Sequence, residues 1–384
     1  MTLQGHGPPS GSSVYLGYAR VMPSIARRVS SLCRAPGSES GSDGIRDQQL
    51  ALRWVHEHIA VFGGDADNVT VFGELAVARS VCVHLAAPSS RGLAQRYIVE
   101  SGVCLGGPLG MRTKTDADAL GVRLSDALCP GQADVLGCLR AVPADVLASW
   151  GDDLSLIGAG WDPVVGGVDA LLPDDPEQLL ARADVAPVPV IVGTNAHEWG
   201  TFQLTGSPHI ADLTQFKATL AKIFGAHASL VEAQYPAESD AVANDVFVRL
   251  ATDLVFRCPT QVLARLLSDH GGSVYMYQFE QGRAIHGQEL DYVFDTNLLT
   301  AILGEPPPSA ELVRTVQRYW THFAATGDPN VPDAPSWPRC QTSSEQALAL
   351  ADSPRTITAP TAPACDFWSD YVRAGGTVVD LFAR

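Results

Sequence analysis

Residues 47–64, DQQLALRWVHEHIAVFGG, place apolar side chains at Leu50, Trp54, Val55, Ile59 and Phe62. That spacing is a helical stripe, and the Gly63–Gly64 pair stops it. His56 and His58 lie two apart, hence on different helix faces, and read as surface or satisfied histidines. Directly after it, NVTVFG is a continuous run of β-branched and aromatic residues, as suits a strand buried on both faces of a parallel sheet. QRYIVESG (95–102), VPVIVGTN (188–195) and SVYMYQFE (273–280) are further short apolar runs ending in turn residues. Helical patterns over 116–128, 174–183 and 310–326 separate or follow them. Strands alternating with helices predict an α/β fold, a mostly parallel central sheet with helices on both faces.

The text before residue 44 differs. GHGPPSGSS and GSESGSD are Gly/Ser/Pro-rich and aperiodic, so 1–43 reads as a poorly ordered leader and 44–384 as one domain. The start has no basic stretch followed by an apolar run, so no signal peptide is read there.

Charge narrows the function classes. The formal net charge is −16, with 42 acidic against 26 basic side chains. Such a surface repels phosphate backbones, which argues against nucleic acid as a partner. No apolar stretch approaches the ~20 residues of a membrane-spanning helix. The eight cysteines form no CxxC and no Cys/His group has zinc spacing, so neither a metal nor any other cofactor is expected. Cys129 and Cys138 flank a short polar loop and could bridge in an oxidising compartment. The remaining cysteines read as buried thiols. Asn68-Val-Thr70 matches a glycosylation sequon, but Thr70 falls inside the predicted strand.

In a doubly wound sheet, chemistry sits just past the C-terminal strand ends. After VTVF comes Gly73-Glu74-Leu75-Ala76-Val77, a strand-to-helix turn in which G-x-S-x-G would mount a nucleophile. Here the serine position holds Leu75 and the closing glycine is Val77. After VPVIVGTN, Glu198 could accept from an imidazole Nδ1–H and hold its tautomer. His197 does not begin an HExxH zinc motif. After SVYMYQFE, His286 precedes Gly287 in a loop, a setting suited to a general base. Elbow, acid and histidine, each behind its own strand, follow the chain order of α/β-hydrolases.

At these residues the sequence resembles the type-B carboxylesterase family, which includes the cholinesterases. The text that carries the resemblance includes DQQLALRWVHEHIAVFGGDADNVTVFGE, LAAPSSRGLAQRYIVESG, VPVIVGTNAHEWGTF, HGQELDYVF and YWTHFAATGDPNVPDAPSWP, from about Gly37 onward. The resemblance implies the α/β-hydrolase fold and hydrolysis of carboxylic esters by a Ser-Glu-His triad, with a small-molecule ester as substrate. Glu198 matches the triad acid, His286 the base, and Ala76 the residue whose backbone N–H is one oxyanion donor. Cys129 and Cys138 match a family disulfide, and Cys258 with Cys365 match another. These pairs and the family kinship imply a secreted or periplasmic protein.

Two departures qualify what the resemblance implies. The nucleophile falls on Leu75; Ser80 and Ser101 match non-nucleophilic positions of the pattern. The HGGG-type oxyanion loop and the N-terminal strands around it are not found, so the domain reads as N-terminally incomplete. The expectation is a family member that is inactive or strongly impaired. The alternatives are a non-enzymatic binding module on the same fold, or an unstable gene fragment.

Overall fold

The computed structural model of the protein describes residues 12–15, 42–105, 110–147, 162–167, 170–182, 187–358, 362–376, 378 and 381. The described chain forms two compact units. One holds the described residues between 12 and 95 and between 104 and 182; the other holds 96–103 and those from 187 onward.

In the first unit, strands β1 (Ser12–Tyr15) and β2 (Val69–Glu74) pair in parallel, from Ser12 opposite Val69 to Tyr15 opposite Phe72. β1 lies within the stretch read as leader, where Ser12–Tyr15 carries only two strand-favouring residues, Val14 and Tyr15, among glycine, serine and proline. β2 therefore has a parallel partner on that side. The rest of 1–41, including GHGPPSG, lies outside the described residues. The predicted helix spans Asp43–His58, but of its predicted apolar stripe only Val55 is buried: Leu50, Trp54 and Phe62 are exposed, and the buried face is Ile45, Gln49, Leu52 and Val55. A 3₁₀ turn, Ile59–Phe62, extends it to Gly63, whose φ of 79° is the left-handed value a helix stop favours. His56 and His58 are exposed, as predicted. Asn68 and Thr70 of the sequon are buried.

Further along this unit, β4 (Arg112–Thr113) and β5 (Val164–Val165) make a short parallel pair. Helices Lys114–Leu128 and Val135–Ala141 bury Ala117, Leu124 and Leu139 around Cys129. Cys129 and Cys138 are disulfide-bonded across the loop between these helices. Cys82 and Cys104, expected as thiols, instead form a second bridge, which ties the helix after β2 to a segment 22 residues on. Both sulfurs are fully buried, so the pairing leaves no reactive thiol there. Cys33 lies outside the described residues.

The second unit contains β3 (Arg96–Glu100), β6 (Val190–Asn195), β7 (Val274–Phe279), β8 (Gln346–Leu350) and β9 (Arg355–Thr358), in that spatial order. The pairs β3–β6, β6–β7 and β7–β8 are parallel, and only β8–β9 is antiparallel. All six residues of β6 are buried, which explains its apolar run Val190–Val192, and the buried Asn195 ends the strand. Helix Ala310–Thr326 matches its predicted span, with the Ser309 hydroxyl capping Leu312 N and Gly327 ending it at φ 82°. Cys258 and Cys365 form a disulfide across 107 residues, while Cys340 is a buried free thiol. None of the described helices is long and apolar enough to cross a membrane.

Candidate functional site

In the first unit, β2 hands over to helix Ala76–Ala86 through a single residue, Leu75. Reversing direction in so short a span requires a backbone that L-residues avoid, and Leu75 sits at φ 52°, ψ −115°. Holding a non-glycine residue there costs on the order of 1–3 kcal/mol. The turn is tight: a Cβ on Gly73 would lie 2.4 Å from Val77 Cγ1, so Gly73 must stay bare while Val77 packs over it. The Leu75 side chain is 39% exposed at the tip. Its carbonyl accepts from Arg79 N at 2.9 Å, the first bond of the helix. Ala76 is the first helical residue, where the N–H groups have no partner within the helix. Ser80 Oγ bonds back to Ala76 O at 3.2 Å, a local bond of the kind that serves structure.

In the second unit, Glu198 and His286 meet. Asn195 at the end of β6 is level with Phe279 at the end of β7, so the two following loops start side by side. Backbone bonds join those loops, Ala196 N to Phe279 O and His197 N to Ala284 O, each 2.9 Å. Glu198 is fully buried; its Oε1 accepts from Asn195 N and its Oε2 from His286 Nδ1, both at 2.6 Å. With Nδ1–H given to the carboxylate, a neutral ring carries its lone pair on Nε2, the atom a general base uses. The His286 ring centroid is 5.2 Å from Phe202 and 4.9 Å from Phe256. Its carbonyl accepts from Thr201 Oγ1 at 3.1 Å. Gly200 permits this approach, since a Cβ there would be 2.7 Å from Ile285 Cγ2.

Sequence reasoning missed the layer behind this pair. Asn195 Nδ2 donates to Glu289 Oε2 at 2.5 Å and to Ile285 O at 2.7 Å, so one asparagine holds both buried glutamates. Ser101 Oγ donates to Glu289 Oε1 at 3.4 Å. A glutamate three residues after a loop histidine was the available signal. The other support is a π-helical turn, Asp253–Arg257, which carries Phe256 to the imidazole. Arg257 pairs with Asp253 and donates to Ala196 O at 2.7 Å, bracing the loop that carries Glu198. Burial pushes the Asp253 carboxyl up, against the opposing pull of Arg257.

The first unit thus carries a strand-turn-helix elbow, and the second a buried Glu–His pair behind parallel strands. The carboxylesterase family pattern matches residues 35–368. The chain belongs to the carboxylesterase family. It is 32% identical over 338 residues to carboxylesterase 5A of Felis catus, covering 81% of this chain and 61% of that protein. It is 29% identical to the acetylcholinesterase of Leptinotarsa decemlineata, with 88% and 59% covered. It is 31% identical to the liver carboxylesterase of Sus scrofa, with 78% and 58% covered. The chain thus spans about three fifths of the length of these relatives. In this member of the carboxylesterase family, the elbow tip is leucine.

Proposed function

We propose that this carboxylesterase chain lacks covalent catalysis and is inactive or strongly impaired toward carboxylic esters. The observation that carries this is Leu75 at the strained tip between β2 and its helix. A hydrocarbon has no lone pair to attack a carbonyl and no proton for His286 to remove. Loss of a triad nucleophile costs on the order of 10⁶ in kcat. Glu198 and His286 keep the roles of acid and base, and Ala76 that of oxyanion donor. A Glu–His pair of this geometry can draw a proton from water, but residual catalysis of that sort is roughly 10³–10⁴ over water and leans on oxyanion donors.

A second reading, a binding module that uses the elbow without chemistry, draws on the 39% exposure of the Leu75 side chain at the tip. Turnover of p-nitrophenyl acetate by the full chain, with and without a serine-directed organophosphate, tests the first reading. Turnover at the buffer rate and no covalent adduct is the expected result. Robust, organophosphate-sensitive turnover by the native chain would overturn it.

A further inference from the structure

In the first unit, helix Asp43–His58 and the 3₁₀ turn Ile59–Phe62 present apolar side chains on two opposite faces. Ile45, Leu52 and Val55 are buried, whereas Leu50 is 61% exposed, Trp54 48%, Val61 86% and Phe62 67%. Positions 50, 54 and 61 are spaced i, i+4 and i+11, so their side chains follow one line along about three helical turns, with Phe62 beside its end. Exposed apolar residues scattered singly are ordinary, but a contiguous line of them marks an interaction surface.

The rings of this line are already held in place. Trp54 stacks on His58, with centroids 5.1 Å apart and 12° between the planes, and its ring lies 6.0 Å from that of Phe62. His58 Nδ1 is 3.0 Å from Trp54 O, which fixes the imidazole beside the indole. Side chains ordered in this way lose little freedom when a partner covers them. The charges beside the line select that partner. Arg53 and Glu57 are both exposed and stand one turn apart on the same side of it. Among the described residues Arg53 forms no ion pair, and Glu57 has only a 4.0 Å approach to His58. Two copies of this helix laid antiparallel about a two-fold axis meet along the same rim, so Arg53 of each falls opposite Glu57 of the other. The same axis brings Leu50 of each close to Val61 of the other.

We propose that this face is a dimer interface, covered by the same face of a second copy of the chain. Trp54 and Phe62 anchor it by burying aromatic surface, and the two Arg53–Glu57 pairs at the rim set the antiparallel orientation. Two helix-length stripes make an interface at the small end of the specific range, so association is in the micromolar range, with a Kd of about 1–100 µM. Association of this kind requires no hydrolysis.

Sedimentation equilibrium of the full chain between about 1 and about 100 µM tests the proposal. A monomer–dimer equilibrium is expected. Trp54→Glu, at an exposed position, is expected to be monomeric across that range, while circular dichroism confirms the fold. Arg53→Glu sets carboxylates against each other at both ends of the rim and is expected to weaken association by about tenfold. Arg53→Glu/Glu57→Arg exchanges the charges across the axis and is expected to restore it. A native chain that stays monomeric overturns the proposal and leaves the face to a different partner. A dimer that persists in Trp54→Glu, or a double variant no better than Arg53→Glu, overturns it as well. Because the readout is mass, its outcome is independent of whether the chain hydrolyses esters.

Discussion

Asn195 spans the two buried glutamates of the second unit, its backbone N–H on Glu198 at 2.6 Å and its side-chain NH₂ on Glu289 at 2.5 Å. Glu198 thereby has both oxygens engaged, one by Asn195 and one by His286, and no part of it reaches solvent. The pair is thus integral to folding as well as to the geometry of a base.

Removing Glu198 must then cost stability. Glu198→Ala leaves two buried donors without their acceptor, about 1–3 kcal/mol for each. Glu198→Gln keeps the shape and an acceptor oxygen for one of them, so its loss is expected to be roughly half as large. Urea unfolding of the full chain measures both. Equal losses for the two variants would show that volume, rather than hydrogen bonding, is what Glu198 supplies.

The elbow makes the opposite prediction. At φ 52°, ψ −115°, glycine is at ease and leucine is strained. Leu75→Gly is expected to raise stability by about 1 kcal/mol, the gain from released strain exceeding the loss of a partly exposed side chain. Leu75→Ser gives no such gain, because serine also carries a Cβ. A lower melting temperature for Leu75→Gly would mean that the leucine side chain is held by contacts stronger than the strain.

The parallel strands β2, β3, β6 and β7 were legible because each carries a run of buried residues that are mostly β-branched or aromatic. Glu198 and His286 were legible because strand ends fix where chemistry can sit, and the family resemblance then supplied their roles. β8 and β9 were not, since QALAL has the alanine and leucine content of a helix and becomes a strand through its pairing with β7 and β9. The Cys82–Cys104 bridge was missed for another reason: pairing is decided by three-dimensional proximity, and neither cysteine belongs to a short spacing motif. Leu75 showed its identity in the text, but the left-handed backbone at that point is imposed by the strand-to-helix reversal.

The disulfides differ in how much chain they restrain. Cys258–Cys365 closes 107 residues and Cys129–Cys138 only 9. In the loop-entropy view these correspond to about 5 and under about 3 kcal/mol respectively. The double variant Cys258→Ser/Cys365→Ser is expected to lower the urea midpoint more than Cys129→Ser/Cys138→Ser. The reverse order would place the stabilising effect in local packing around Cys129 instead of in chain restraint.

His84 supplies the acid sensitivity of the first unit. Its ring is buried, with Nδ1 2.9 Å from Ser90 Oγ and Nε2 2.9 Å from Gln48 Oε1, and Gln49 donates to the same Ser90 hydroxyl at 2.8 Å. These partners are all neutral, so burial goes uncompensated and lowers the imidazole from 6.5 to about 4. Below pH 6.5 the unfolded chain takes up a proton that the folded chain refuses. Stability is therefore present in full above about pH 6.5, falls as the pH drops toward about 4, and levels off below it, with a total loss of about 3 kcal/mol. His84→Gln, which keeps a donor and an acceptor without the titration, is expected to flatten the change in urea midpoint between pH 7 and pH 5. That window lies above the ordinary carboxylate range, and the difference between His84→Gln and the native chain separates this histidine from the chain's other histidines and from Asp253, whose carboxyl is pushed up by burial. An equally steep decline in His84→Gln would assign the acid sensitivity to other groups.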